Sequence, residues 1–245
     1  MDKIVERDGT MMTRHKRFGK RNKWLIGVCS AIVFAGILIV VVLFNQPVPK
    51  EPLSFPYMLD GDRVAVNSLF QFSGFNPDNK DAEGENIAAL EIMNQSEEHL
   101  ELLKIYVTLD DGTELIFEAS DLPSGKKALI FEQDNQSLEL DDHCIEIKAE
   151  SKYEDNSQQM IEGMNIEVEG TEIKITNETE NEMSNLLLHC HCLIEDTYFG
   201  GLTYTYPITK IQPGDSVTIQ ADECYLGTAD VVRVSQDNGE DNQGK

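Results

Sequence analysis

The sequence predicts an all-β protein in which two tandem β-sandwich domains follow a single N-terminal transmembrane helix. Three observations support this prediction. Residues 24–44 are apolar or small and carry no charge. Beyond residue 57, short runs alternate between apolar and polar positions and are separated by turn-forming residues, as in half-buried β-strands. The same order of runs and turns then occurs a second time along the chain.

The uncharged run at residues 24–44 predicts an uncleaved membrane anchor. At about 1.5 Å per residue, a helix of this length crosses a hydrocarbon core of about 30 Å. A buried core helix would need a polar face, which this run lacks. A cleaved signal peptide is the main alternative, but its apolar region is about 7–15 residues long and ends at a small-x-small site. The run is longer and is followed by no such site.

Charge predicts the orientation of this anchor. Residues 1–23 contain eight Lys/Arg and three Asp/Glu, whereas residues 45–245 contain 12 basic and 41 acidic residues. Because positive segments stay on the cytoplasmic side, residues 1–23 are expected to be a cytoplasmic tail and the rest an extracellular ectodomain. The expected localisation is therefore the cell membrane. The acidic ectodomain disfavours nucleic acid as a partner and suits a basic one.

The ectodomain begins with a predicted stalk and ends with a predicted disordered tail. Residues 45–57 are the stalk, since residues 45–56 contain four prolines and proline favours extended chain. Residues 236–245 lack apolar side chains and are the tail. Between them, "LDDGTELIF" predicts a hairpin turn at Asp111-Gly112. Twelve strands are predicted, over residues 63–70, 87–93, 103–109, 114–117, 128–131, 144–149, 166–168, 172–176, 186–194, 202–206, 216–220 and 231–234.

The two halves of the ectodomain align with each other. Residues 89–109 match residues 172–192 without a gap, and in this register Asn94 matches Asn177. Other matches are Ser96 with Thr179, Leu103 with Leu186, and residues 122–125 with 211–214 after a six-residue insertion in the second copy. Each copy has roughly 90 residues, the size of an immunoglobulin-like sandwich. The predicted domains are residues 58–150 and 163–235, joined by a polar linker at 151–162.

Four short motifs carry a resemblance to known proteins: "IMNQS" and "ITNET", followed by "DLPSG" and "IQPGDSVTI". In this order of strand, Asn-x-Ser/Thr, long strand, hairpin and Pro-Gly or Ser-Gly turn, residues 60–235 resemble the immunoglobulin-like ectodomains of membrane-anchored surface proteins and lipoproteins of Gram-positive bacteria. The resemblance implies a fold and a location. It implies no ligand and no catalytic residue.

The stretch "LLLHCHCLI" raises the question of a metal site. Alternation and the alignment place Cys190 and Cys192 on the core face and His189 and His191 on the solvent face. Tetrahedral ligands cannot come from both faces of one strand, so buried packing cysteines are favoured over metal ligands. Two alternatives stay open: a metal or redox site that uses His189 and His191 with ligands from a neighbouring strand, and a disulfide such as Cys190–Cys224. Four ectodomain cysteines are available for a disulfide, Cys144, Cys190, Cys192 and Cys224.

Two further segments are candidate binding sites. The loop at residues 76–86 carries the carboxylates of Asp78, Asp81, Glu83 and Glu85. As an EF-hand it would need a glutamate where Leu90 stands, so a solvated acidic loop is expected.

Tyr204 and Tyr206 share a strand face with Leu202, which indicates core packing more than an exposed ligand platform. Gly200-Gly201, just before this strand, suit a hairpin turn.

No motif of a known enzyme class occurs in the chain. G-x-S-x-G, H-E-x-x-H and a phosphate-binding loop are all absent. No catalytic, cofactor-binding or metal-binding residue is therefore predicted, and no cofactor. The expected function is that of a non-enzymatic surface or envelope protein that binds a protein or cell-wall partner. The alternatives are a regulatory or sensory membrane subunit that signals through its basic tail, and an extracytoplasmic metal- or redox-linked protein that uses His189, His191 and the nearby cysteines.

Overall fold

The computed structural model describes residues 50–79, 83–155 and 160–236. They belong to one compact unit, Lys50–Lys245. The predicted cytoplasmic tail, membrane span and C-terminal tail beyond Gln236 lie outside the described residues. Within the described part of the chain, no helix is both long enough and apolar enough to cross a membrane.

The described chain is built from β-strands, which confirms the all-β prediction. Each of the twelve predicted strands overlaps an observed one, and two strands of three residues were missed. The only helix among the described residues is a single 3-10 turn, Asp222–Cys224. The strands are β1 Tyr57–Leu59, β2 Val64–Phe75, β3 Glu83–Asn94, β4 His99–Leu109, β5 Glu114–Leu122, β6 Lys127–Phe131, β7 Cys144–Glu154, β8 Met164–Glu169, β9 Glu172–Asn177, β10 Met183–Ile194, β11 Thr197–Phe199, β12 Tyr204–Ile211, β13 Ser216–Gln220 and β14 Thr228–Gln236.

Each half of the described chain contains two three-stranded groups with the same strand order. In the first half these groups are β2-β3-β6 and β5-β4-β7, and in the second half they are β8-β9-β13 and β12-β10-β14. Apolar residues of both groups share one core in each half, so the sheets pack in a sandwich-like arrangement. Leu103, Ile105 and Val107 on alternate positions of β4 are fully buried in the first core, as alternation along a strand requires.

The aligned asparagines have the same role in the two halves. Asn94 and Asn177 are fully buried at the ends of β3 and β9. The Asn94 side-chain amide donates to the carbonyls of Glu98 and Leu122, both at 2.9 Å, and its oxygen accepts from the Ser96 backbone N–H at 3.1 Å. In the second half the corresponding bonds join Asn177 to Asn181 (2.7 Å), Ile211 (3.1 Å) and Thr179 (2.9 Å).

The insertion in the second copy connects the two halves. Its short strand β11 pairs antiparallel with β10 and in parallel with β6 of the first half. Gly200-Gly201 do not form the predicted two-residue hairpin turn. Instead, the Gly200 N–H donates to the Leu129 carbonyl at 3.0 Å and the Ser120 N–H donates to the Gly201 carbonyl at 2.9 Å. A side chain at Gly201 would collide with the Glu118 carbonyl oxygen, so glycine permits this close approach of the two backbones.

Part of the predicted stalk lies against the first half. The Leu53 N–H donates to the Cys144 carbonyl at 2.8 Å. Leu53 and Phe55 pack against the first core, and the Lys50 ammonium lies 2.5 Å from the Glu146 carboxylate. Residues 50–56 therefore belong to the compact unit.

Candidate functional site

Five ionisable side chains meet where the end of β5 contacts β10 and β14. We call this group, His99, Asp121, Glu154, His189 and Arg233, the junction cluster. His99 donates from Nε2 to Asp121 Oδ1 at 3.2 Å, and Arg233 Nη1 lies 3.3 Å from both Asp121 Oδ1 and Glu154 Oε2. His189 Nδ1 lies 3.6 Å from Asp121 Oδ2. The cluster joins the two halves through charged groups.

Asp121 is the centre of the junction cluster. It is 5% exposed and adopts a φ of 49° at the end of β5, a conformation that aspartate tolerates better than most residues. Burial by itself would raise the pKa of Asp121, but the His99 hydrogen bond and the nearby His189 and Arg233 charges lower it below its ordinary value. The carboxylate is therefore ionised and neutralised within the protein, as a buried charge must be.

Asp121, His189 and Ser235 stand in the acid–base–hydroxyl order of serine hydrolases. His189 Nε2 lies 3.3 Å from Ser235 Oγ. The 3.6 Å from Asp121 to His189 Nδ1 is too long for a hydrogen bond, and Nδ1 is nearer to Thr205 Oγ1, at 3.3 Å. Since Asp121 already accepts a hydrogen bond from His99 and pairs with Arg233, this geometry fits a structural ion cluster better than a triad that activates Ser235 as a nucleophile.

His191 does not face solvent, so the prediction for this residue was wrong. It is 1% exposed and stacks on Tyr198, with ring centroids 4.4 Å apart and ring planes 13° apart. Its Nε2 donates to the Ser120 carbonyl oxygen at 2.9 Å. His189 is also largely covered, with its side chain 16% exposed. The reason is tertiary: the first half packs on the strand face that alternation alone assigns to water.

The four cysteines among the described residues are buried, as predicted for Cys190 and Cys192, but two of the four are bonded. Cys192 on β10 forms a disulfide with Cys224 in the 3-10 turn, with Cα atoms 4.9 Å apart. Cys144 and Cys190 are free thiols. The prediction of a reduced packing cysteine is therefore correct for Cys190 and wrong for Cys192, and the considered Cys190–Cys224 pairing is not formed. Burial raises the pKa of the Cys190 thiol to about 12, so Cys190 is unreactive at neutral pH.

The acidic loop has a structural role at one position. Asp78 accepts the N–H groups of Gly201 at 2.8 Å and Leu202 at 3.0 Å, so it helps to dock the second half on the first. Burial raises the pKa of Asp78 to about 6. Glu83 and Glu85 begin β3, and Asp81 lies outside the described residues. Among the residues described, no three His, Cys, Asp or Glu side chains are grouped so as to hold a metal ion.

Two cavities open near this docked loop. One, of about 340 Å³, is lined by polar side chains that include Asp78, Glu118 and Glu132. These carboxylates are already engaged, since Glu132 accepts the N–H groups of Asp134 and Gln136 at 2.9 and 2.7 Å and Glu118 pairs with Lys104 at 2.8 Å. The second cavity, of about 330 Å³, we call the aromatic pocket. It is lined by Phe75, Pro77, Tyr204, Asp222, Glu223 and Tyr225.

Tyr204 and Tyr206 are half-buried and pack against the second core, which agrees with the predicted core role. β12 begins at Tyr204, two residues later than predicted, and Leu202 lies before it. The Tyr204 hydroxyl donates to the Pro77 carbonyl at 3.2 Å, and the Tyr206 hydroxyl donates to Glu223 Oε2 at 2.5 Å. Tyr204 thus packs against the second core and also lines the aromatic pocket.

Sequence reasoning missed the junction cluster and the aromatic pocket. Each site contains residues from both halves. The sequence singled out one member of each, His189 as a possible metal ligand and Tyr204 as a possible ligand platform, without the partners that the fold brings to them. Comparison of the chain with known protein families and with curated proteins gives no match.

The buried His191 predicts a loss of stability in acid. Burial lowers its pKa to about 4, whereas a histidine in an unfolded chain has a pKa of about 6.5. The unfolded state then binds the extra proton, so the stabilisation by neutral His191 is present above about pH 6.5 and is lost as the pH falls to about 4. This residue should contribute a decrease of up to about 3 kcal/mol in the free energy of unfolding.

Urea denaturation at pH 7, 5.5 and 4.5 measures this effect. The matched variant is His191→Gln, which keeps a donor for the Ser120 carbonyl but does not titrate. We expect wild type to be the more stable protein at pH 7 and its advantage to shrink towards pH 4.5. Equal dependence on pH in both proteins would contradict a buried neutral His191.

Proposed function

We propose that the chain is a single-pass membrane protein whose extracytoplasmic ectodomain binds a basic partner without catalysing a reaction. The observation that supports this proposal best is the Cys192–Cys224 disulfide in the core of the second half. Disulfides persist in oxidising compartments outside the cytoplasm and are rare within it. The uncharged run at residues 24–44 and its basic N-terminal flank supply the anchor and the orientation.

In this proposal the ectodomain consists of two immunoglobulin-like sandwiches that act as one rigid body. The repeated strand order and the equivalent buried asparagines support the tandem arrangement. The parallel pairing of β6 with β11 and the junction cluster support its rigidity. A rigid pair of sandwiches loses little conformational freedom on binding, which favours affinity for a partner.

The charge of the ectodomain indicates the class of partner. With 12 basic and 41 acidic residues after residue 44, the ectodomain produces a negative field that attracts cations and repels anions. We therefore propose a basic protein or a cationic component of the cell envelope as the partner. The ionisable residues at the junction bind one another in this proposal, and they serve to hold the two halves together.

Protease accessibility in sealed protoplasts tests the proposed topology. The full-length chain is expressed in a Gram-positive host with a different epitope tag at each end. External protease should remove the C-terminal tag and spare the N-terminal tag, and detergent should expose both. A C-terminal tag that resists protease until detergent is added would overturn the extracytoplasmic location.

A further inference from the structure

We propose that the aromatic pocket binds a lysine or arginine side chain from a basic segment of the protein partner. This inference rests on the proposed function and deepens it, because it assigns the contact site and the chemistry of the ligand. The pocket is formed by both halves. Phe75 ends β2 and Pro77 lies in the turn that follows, both in the first half, whereas Tyr204, Asp222, Glu223 and Tyr225 come from the second.

The walls of the pocket are aromatic rings at the surface. Phe75 and Tyr225 lie edge to face, with ring centroids 6.5 Å apart and ring planes at 60°. Tyr225 is 62% exposed and its neighbour Leu226 is 53% exposed. A large aromatic side chain that stays this exposed in the lining of a pocket, next to an exposed leucine in the chain, is typical of a binding site. Aromatic faces attract cations through the negative charge density of the ring.

The charged groups of the pocket are carboxylates. Asp222 and Glu223 follow one another in the 3-10 turn, and the Tyr206 hydroxyl holds Glu223 in place through a 2.5 Å hydrogen bond. The Tyr204 hydroxyl points to the Pro77 carbonyl, at 3.2 Å. The lining therefore combines ring faces with negative charge, which favours a cationic ligand with an apolar stem and opposes an anion.

The turn that carries these groups is held in place covalently. Cys224, which stands between Glu223 and Tyr225 in the chain, is bonded to Cys192 of β10 by the disulfide. The Cys224 N–H donates to the Ala221 carbonyl at 3.0 Å, and the Gly227 N–H donates to the Cys224 carbonyl at 3.0 Å. A site that is ordered before the ligand arrives loses less entropy on binding.

We assign the ligand to a basic protein segment because negative charge would attract it both at long range, from the whole ectodomain, and at short range, from the carboxylates of the pocket. The negative ectodomain attracts a polycation over a Debye length of about 8 Å. One cationic side chain can then enter the pocket, where its methylene stem lies along the rings and its charge lies near Asp222 and Glu223. The pocket, of about 330 Å³, is large enough for one such side chain.

Fluorescence anisotropy of labelled peptides tests this assignment. The protein is the full-length chain in a neutral detergent, and the probe is a decapeptide of alternating lysine and serine. The same peptide with acetylated lysines, which carry no charge, is the control. The lysine peptide should bind and the acetylated peptide should not. Tyr225→Ala should weaken binding about fivefold or more, the loss expected for one cation–π contact, whereas Tyr225→Phe should stay close to wild type.

A matched pair of charge variants separates the pocket from general attraction. Asp222→Asn removes a carboxylate of the pocket, and Glu169→Gln removes an exposed one from the β8–β9 hairpin. Asp222→Asn should weaken binding several times more than Glu169→Gln. Equal effects of these two variants, or unchanged binding by Tyr225→Ala, would overturn the proposed pocket.

Two further outcomes would also overturn it. Full competition by choline at the concentration of the peptide would assign the pocket to a small quaternary ammonium ion. A Tyr225-dependent dimer of the protein would assign it to a second copy of the chain. The protease experiment on protoplasts gives an independent result. If the C-terminal part of the chain proved to be intracellular but the protein still bound the peptide, the proposed location would be wrong and the pocket assignment would stand.

Discussion

Reducing the Cys192–Cys224 disulfide should lower the free energy of unfolding by about 3–4 kcal/mol. The bond closes a loop with a sequence separation of 32, and opening it restores chain entropy to the unfolded state. The effect is expected to be large relative to a total stability of about 5–15 kcal/mol for typical domains. Urea denaturation with and without reductant, followed by circular dichroism, measures it.

Two variants make this prediction specific to one bond. The double variant Cys192→Ala/Cys224→Ala should match the reduced wild type and should not respond to reductant. Cys144→Ala removes a free thiol and should still respond to reductant as wild type does. A wild-type protein with the same stability in both conditions would show that the bond does not stabilise the fold.

Asn94→Ala and Asn177→Ala should each destabilise the protein by about 3 kcal/mol, because each substitution removes a fully buried amide and leaves the buried Leu122 or Ile211 carbonyl without its side-chain donor. Asn94 donates to two carbonyls and accepts one backbone N–H, and Asn177 makes the corresponding bonds. Both asparagines also accept the N–H of a turn glycine through their backbone carbonyl, Gly125 in one half and Gly214 in the other, at 2.8 Å. That backbone bond does not depend on the side chain, so it should survive the substitution and keep the variants folded.

The control for the asparagine variants is Asn165→Ala. Asn165 is an exposed residue of β8, and its replacement should change the free energy of unfolding by less than about 0.5 kcal/mol. Chemical denaturation of all three variants gives the comparison. Similar stabilities for Asn94→Ala and Asn165→Ala would mean that the buried amide contributes little.

Strand positions were predictable because they depend on a local rule. Every second side chain of a half-buried strand faces the core, so the apolar positions of β4 and β10 show which face is buried from a few neighbouring residues. The missed strands, β1 and β11, have three residues each, too few to display alternation. The start of β12 was misplaced because Gly201 to Thr203 bind the first half: Gly201 and Leu202 donate to Asp78, and the Thr203 N–H donates to Ser120 Oγ at 3.0 Å.

The face of His191 shows why a local rule fails at a junction. The alignment placed His191 where the first copy has Thr108, which is half-buried at the surface. In the second copy the same face is covered by Ser120 and Tyr198. Tyr198 belongs to the insertion that has no counterpart in the first copy, so the alignment contained no information about what covers His191.

By itself the sequence determined the all-β class, the approximate positions of twelve strands, the equivalence of Asn94 and Asn177, and the burial of Cys190 and Cys192. Each of these follows from periodicity or from repetition along the chain. Only the tertiary structure decided that Cys192 pairs with Cys224, that Asp121 gathers charged residues from both halves, and that Phe75 meets Tyr225. These contacts join residues that are distant in sequence, and their geometry depends on how the two halves of the compact unit pack.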